Sequence, residues 1–151
     1  YLKHSFDKTY NAAGWIFSDY RNKLDGTDKN IVIYGHNRKN GTMFSSLRNI
    51  LKKEWYNNPE NLKIQLITEN EEVFYEVFSI YQIEKETYYL QTEFNNDNQY
   101  LRFIETLKNR SIKKFDVNLT PENQILTLST CANDNNYRVV LHAKKIVQKQ
   151  M

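Results

Sequence analysis

The chain has 151 residues, 40% of them apolar, 14% aromatic and 26% charged, with a formal net charge of +3. That length suits one domain with one sizeable core, and so small a positive excess, spread over scattered lysines, does not mark a binder of polyanions. No run approaches the roughly 18 consecutive apolar residues that span a membrane, and one cysteine excludes an internal disulfide framework.

In chain order, Trp15-Ile16-Phe17 and Ile31-Val32-Ile33-Tyr34 read as short strands, with Asp25-Gly26 marking a turn between them. After Gly41 the spacing of Met43, Phe44, Leu47, Ile50 and Leu51 predicts a helix, with Thr42 a candidate N-cap and Asn57-Asn58-Pro59 the stop. Leu62 to Leu66 alternates apolar and polar, as a half-buried strand does. Val73 to Ile83 is rich in aromatic and β-branched residues and predicts a long strand region. A second helix is expected from Asp97 to Asn109. Tyr100, Phe103, Ile104 and Leu107 form one stripe there, and Asp97 is a candidate cap. Two closing strands, Ile125 to Cys131 and Arg138 to Val147, complete the chain. Six or more strands with two inserted helices and short connections predict a mainly β protein, a closed or nearly closed antiparallel barrel.

The chemistry centres on the only cysteine, Cys131, at the end of Thr127-Leu128-Ser129-Thr130-Cys131. Alternation puts Ile125, Thr127, Ser129 and Cys131 on one face, with Leu126, Leu128 and Thr130 on the other. The connection Ala132-Asn133-Asp134-Asn135-Asn136-Tyr137 is made of loop formers, so a hairpin would bring Arg138 beside Cys131. A free thiol has a pKa near 8.5, so only a few per cent is thiolate at neutral pH. A neighbouring histidine or arginine would stabilise the thiolate, a histidine could protonate a leaving group, and an arginine suits a developing oxyanion. His36, in Tyr34-Gly35-His36-Asn37 at a strand end, is one candidate. His142 is its rival, sharing a face with Arg138 and Val140 by alternation, and His4 lies near the start of the chain. Each residue also has a plainer reading. A lone strand cysteine is commonly a small buried hydrophobe, and a strand-end histidine or arginine is commonly structural or superficial.

The landmarks together resemble the sortases, cysteine transpeptidases of Gram-positive bacteria. Thr127 to Cys131 followed by Arg138 is similar to their active-site strand pair. Asn30-Ile31-Val32-Ile33-Tyr34-Gly35-His36-Asn37, then Asn40-Gly41-Thr42-Met43-Phe44 and Leu47, resembles class B members, as does Gly14-Trp15-Ile16-Phe17-Ser18-Asp19-Tyr20-Arg21-Asn22. The resemblance covers nearly the whole chain. It implies one catalytic domain over residues 1–151, an antiparallel or mixed β-barrel with a helix before the final strand pair. It implies Cys131 as nucleophile, His36 as general acid and base, and Arg138 as substrate and oxyanion stabiliser. Leu2, Tyr34, Tyr89, Leu90, Ser129 and Thr130 match substrate-groove positions. No metal and no cofactor are implied.

The same resemblance implies the partners and the place of action. The substrate would be a C-terminal sorting signal of a secreted surface protein, an Asn-Pro-x-Thr type of pentapeptide cleaved after threonine through a thioacyl enzyme. The acceptor would be an amine of a cell-wall precursor or a pilin, and no nucleic acid is involved. The protein would act at the outer face of the cytoplasmic membrane, in the cell wall. Two departures from the family pattern stand out. Ala132 replaces an acidic residue that some relatives carry after the cysteine, and the family's anchor, N-terminal helices and first strands have no counterpart before Tyr1, so a longer native protein is expected. Two other readings share the residues: a thiol peptidase that passes the acyl group to water, and a non-enzymatic barrel that binds single strands through its tyrosines and lysines.

Overall fold

The structure, a computed structural model, describes residues 16–18, 28–36, 52–67, 71–84, 88–131 and 137–150. Six strands fall within them: β1 (Ile16–Ser18), β2 (Asn30–His36), β3 (Lys63–Ile67), β4 (Glu71–Glu84), β5 (Ile125–Cys131) and β6 (Tyr137–Gln150). Two helices accompany them, a single turn α1 (Lys53–Tyr56) and the longer α2 (Asp97–Arg110). The mainly β class with a helix ahead of the last strand pair is what the sequence predicts.

The strands form one sheet in the order β1-β2-β5-β6-β4-β3. All neighbours are antiparallel except β2 and β5, which run parallel. A parallel pair cannot be closed by a tight turn; here α1, β3, β4 and α2 all lie between its two members in the chain. The sheet is therefore mixed, and over the described residues it is not closed, with β1 and β3 at its edges.

Each face of the sheet carries its own apolar cluster. On one, Val32, Phe78, Tyr81, Ile125 and Val140 meet the Tyr100, Phe103, Ile104 and Leu107 stripe of α2. On the other, Ile33, Val73, Tyr75, Val77, Ile80, Leu126, Leu128 and Leu141 pack together, with Trp55 and Tyr56 of α1 half-buried against them. The strand alternation predicted for β5 holds for its described side chains, since Ile125 lies in the first cluster and Leu126 and Leu128 in the second.

In β4 the alternation changes phase. Val73, Tyr75 and Val77 belong to the second cluster, yet so does Ile80. The register against β6 shifts between Val77 and Ser79. One extra residue in a strand reverses which face later side chains take. Tyr81 thereby turns toward α2, on the same face as Phe78. The helix end is bonded to this bulge: Ser79 Oγ donates to the Leu107 carbonyl at 2.6 Å, and the Ile112 amide donates to the Ile80 carbonyl at 2.9 Å.

α2 begins at Asp97, where the sequence predicts the helix, but its cap is the residue before. The N-cap is Asn96, whose side chain accepts from the Gln99 amide at 2.8 Å, while Asp97 occupies the first turn. Gln99 reaches back with Oε1 to accept from the Asn95 amide at 2.6 Å, a close variant of a capping box. The predicted stop at Asn57-Asn58-Pro59 does end α1, and Asn58 caps a 3-10 turn over Pro59–Leu62. Most of the first predicted helix, residues 42–51, lies outside the described residues. A second 3-10 turn, Tyr88–Leu90, carries no signal that periodicity would detect.

Candidate active site

The backbone brings two of the three expected catalytic positions to one place. β2 and β5 run in parallel from Asn30 opposite Ile125 to His36 opposite Cys131. Both predicted residues thus stand at the same end of adjacent strands. Arg138 is the second residue of β6, the strand on the other side of β5, where it pairs with Ile83 of β4 and is half-buried. The β5–β6 ladder is recorded from Ile125 opposite Lys144 to Ser129 opposite Val140. Leu2, His4 and Ala132 lie outside the described residues, as do the side chains of Tyr34, His36, Thr130 and Cys131.

Below this end of the sheet lies a chain of buried polar side chains. Asn30 of β2 donates through Nδ2 to the carbonyls of Gln91 at 2.8 Å and Tyr89 at 3.3 Å. Thr127 of β5 donates to Asn30 Oδ1 at 2.7 Å. Thr127 Oγ1 is also 2.8 Å from His142 Nδ1 on β6, and His142 Nε2 is 2.8 Å from the Tyr81 hydroxyl on β4. Asn30, Thr127 and His142 are completely buried and Tyr81 nearly so.

The protons in this chain can be assigned. The Thr127 hydroxyl has one hydrogen, and it is given to Asn30. Thr127 can therefore only accept from His142, so His142 carries its proton on Nδ1. Burial, reinforced by the nearby Arg110 charge, pushes the His142 pKa down to about 3, so the ring is neutral at physiological pH. Its Nε2 must then accept, and the Tyr81 hydroxyl donates to it. Phe78 stacks on the imidazole at 6.0 Å between centroids. His142, the rival histidine in the sequence, has both ring nitrogens engaged in the interior.

Three predicted groove residues are described with their side chains. Tyr89 and Leu90 form the buried part of the Tyr88–Leu90 turn. The Tyr89 hydroxyl lies 2.9 Å from Ser129 Oγ, so this turn is tied to β5 two positions before the cysteine. Tyr89 also presents its edge to His142, with centroids 6.4 Å apart. The sequence singled out Tyr89, Ser129 and His142 separately; that they adjoin, and that Asn30, Thr127 and Tyr81 join them, is not visible in it. Among the described residues no group of His, Cys, Asp and Glu could hold a metal ion, and no helix is long and apolar enough to cross a membrane.

Parallel strands ending on a histidine and a cysteine, beside a strand with an arginine at its second position, define a candidate thiol site on a mixed β-sheet. Residues 3–146 match the Sortase domain family, and the chain belongs to that family. Sortase B of Listeria monocytogenes serovar 1/2a is 34% identical over 151 residues, covering 98% of this chain and 61% of that protein. Sortase B of Staphylococcus aureus strain NCTC 8325 is 34% identical over 149 residues, covering 97% and 60%. The chain thus spans about three-fifths of the length of these relatives. A solved Staphylococcus aureus sortase B-substrate complex superposes with a TM-score of 0.84 at 34% identity, over 97% of this chain and 68% of that one.

Proposed function

We propose that this chain is the catalytic domain of a class B sortase, a cysteine transpeptidase that cleaves a sorting signal and passes the acyl group to an amine. The observation that carries the reading is the parallel register of His36 with Cys131 at the end of β2 and β5. The β5–β6 register adds to it, since the pairing of Ser129 with Val140, extended two residues along each strand, joins Cys131 with Arg138. Family membership over nearly the whole chain supports an enzyme over a binding barrel.

In this reading Cys131 reacts as the thiolate, with His36 protonated beside it. The sulfur attacks the carbonyl of the signal's threonine, and the Arg138 guanidinium donates to the oxyanion that develops. The carbon–nitrogen bond then breaks, His36 gives its proton to the departing amine, and a thioester remains on Cys131. An incoming amine attacks that thioester and returns a proton to His36, and the thiolate leaves. Leu2, Tyr34, Tyr89, Leu90, Ser129 and Thr130 would line the groove for an Asn-Pro-x-Thr type of signal. The acceptor would be an amine of a cell-wall precursor or a pilin, and the site of action the cell wall of a Gram-positive bacterium.

The test is incubation with a small set of fluorogenic sorting peptides, with and without an amine acceptor, followed by product masses. Cleavage after threonine, with the acceptor joined to the threonine when supplied, is expected. A free acid in both arms would make the protein a thiol hydrolase. No cleavage of any Asn-Pro-x-Thr peptide would overturn the substrate assignment.

A further inference from the structure

The three strands that carry the proposed catalytic residues are joined in the interior by one side-chain chain. Asn30 lies on the strand ending at His36, Thr127 on the strand ending at Cys131, and His142 on the strand that carries Arg138 near its start. Tyr81 extends the chain to β4, and Asn30 extends it to the 88–90 turn through the Tyr89 and Gln91 carbonyls. The turn returns to β5 through the Tyr89–Ser129 bond, which closes a ring of contacts. Each bond in it crosses from one element to another, and Thr127 to Asn30 spans 97 positions in the chain.

We infer that Thr127 and His142 are positioning residues: their hydrogen bonds set how β2, β5 and β6 lie against one another and so hold His36, Cys131 and Arg138 in mutual aim. The inference rests on the sortase reading of those three residues. Neither Thr127 nor His142 touches the reacting atoms in this account. Backbone ladders alone leave sliding and splaying of strand ends open, and a one-residue slip would turn side chains to the other face. A buried polar chain resists both, because any displacement leaves a desolvated donor or acceptor without a partner. Thr127 is the junction. Its single oxygen serves two neighbours on two different strands, giving its proton to β2 and accepting one from β6. Valine has the same shape but can do neither. Serine can do both.

The experiment compares Thr127→Val, Thr127→Ser and Cys131→Ala in sorting-peptide cleavage, with kcat and KM measured separately, well below each variant's unfolding midpoint. Thr127→Val is expected to lower kcat about 10- to 100-fold while KM stays within about threefold, the signature of misaimed groups. Thr127→Ser should recover kcat to within about threefold of the parent, since both hydrogen bonds return. Nitrogen-15 NMR of the imidazole provides a readout independent of turnover: the parent should display the neutral Nδ1–H tautomer of His142. Normal kcat in Thr127→Val beside an inactive Cys131→Ala would overturn the positioning role and leave the site reading intact. Equal losses in the valine and serine variants would overturn it as well, by tracing the effect to packing. Cleavage by Cys131→Ala would overturn the site reading itself. Should Thr127→Val fail to fold, Tyr81→Phe removes the donor to Nε2 and keeps the ring. A fall in kcat with KM unchanged then supports the inference, and unchanged kcat overturns it.

Discussion

Arg138 can be separated from a simple positive charge by one substitution. Lysine keeps the charge but replaces a rigid fork of donors with a point charge on a flexible stem. Losing a well-aimed oxyanion donor costs about 10²–10³ in rate, so Arg138→Lys should retain thiol alkylation and lose most peptide turnover. Near-normal kinetics would mean that Arg138 does not face the reacting carbonyl. His36→Ala should lower kcat by at least about 10²-fold, the usual weight of a general acid–base, and a pH–rate profile that kept both its limbs would assign proton transfer elsewhere. His142 also bears on stability. Its folded pKa of about 3 lies below its ordinary value of 6.5, so between those values the unfolded chain binds a proton that the folded chain refuses. Stability must therefore fall as pH drops from 6.5 toward 3, by on the order of 5 kcal/mol in all. Urea titrations of the parent and of His142→Gln at several pH values check this. Parallel stability curves would contradict it. Alternation along β5 and β6 makes the faces of Thr127, Ser129 and His142 legible in the sequence. Their partners are not, because Asn30 and Tyr81 arrive from strands far away in the chain.

At the scale of elements, α2 shows what periodicity can and cannot say. Tyr100, Phe103, Ile104 and Leu107 recur at helical spacing, and all are nearly or completely buried. The start at Asp97 is legible in the sequence but the cap is not, because Asn96 and Asp97 are both good caps, and only geometry tells which side chain accepts from Gln99. Asn96→Ala should lower stability by about 1 kcal/mol, while Asp97→Ala should cost less, a few tenths of a kcal/mol from the lost charge at the helix N-terminus. Chemical denaturation of the two variants measures the difference, and a larger loss for Asp97→Ala would contradict the cap. The bulge in β4 escapes the sequence for a related reason. Val73 to Ile83 is apolar or aromatic on both faces, so no alternation exists from which a change of phase could be read. The Tyr88–Leu90 turn is too short to have a period, and it becomes visible only through the Tyr89–Ser129 contact.

Over the whole molecule, the class and the inserted helix follow from composition and spacing, while the order of strands does not. Period-two patterns identify strands but carry neither neighbour nor direction. The parallel pairing of β2 with β5 is the decisive case. It joins segments separated by α1, β3, β4 and α2 in the chain, and it alone makes His36 and Cys131 register partners. The motif resemblance implies that adjacency, and the match of residues 3–146 to the sortase family agrees with it. The central claim is that Cys131 carries the acyl group between a sorting signal and an amine. Intact-mass spectrometry of the protein mixed with an Asn-Pro-x-Thr peptide, alone and as Cys131→Ala, tests it most directly. The account predicts an adduct on the parent equal to the peptide's N-terminal fragment less water, located on Cys131 and removed by added amine. It predicts no adduct and no cleavage for Cys131→Ala. Cleavage by the alanine variant at the parent's rate would contradict it.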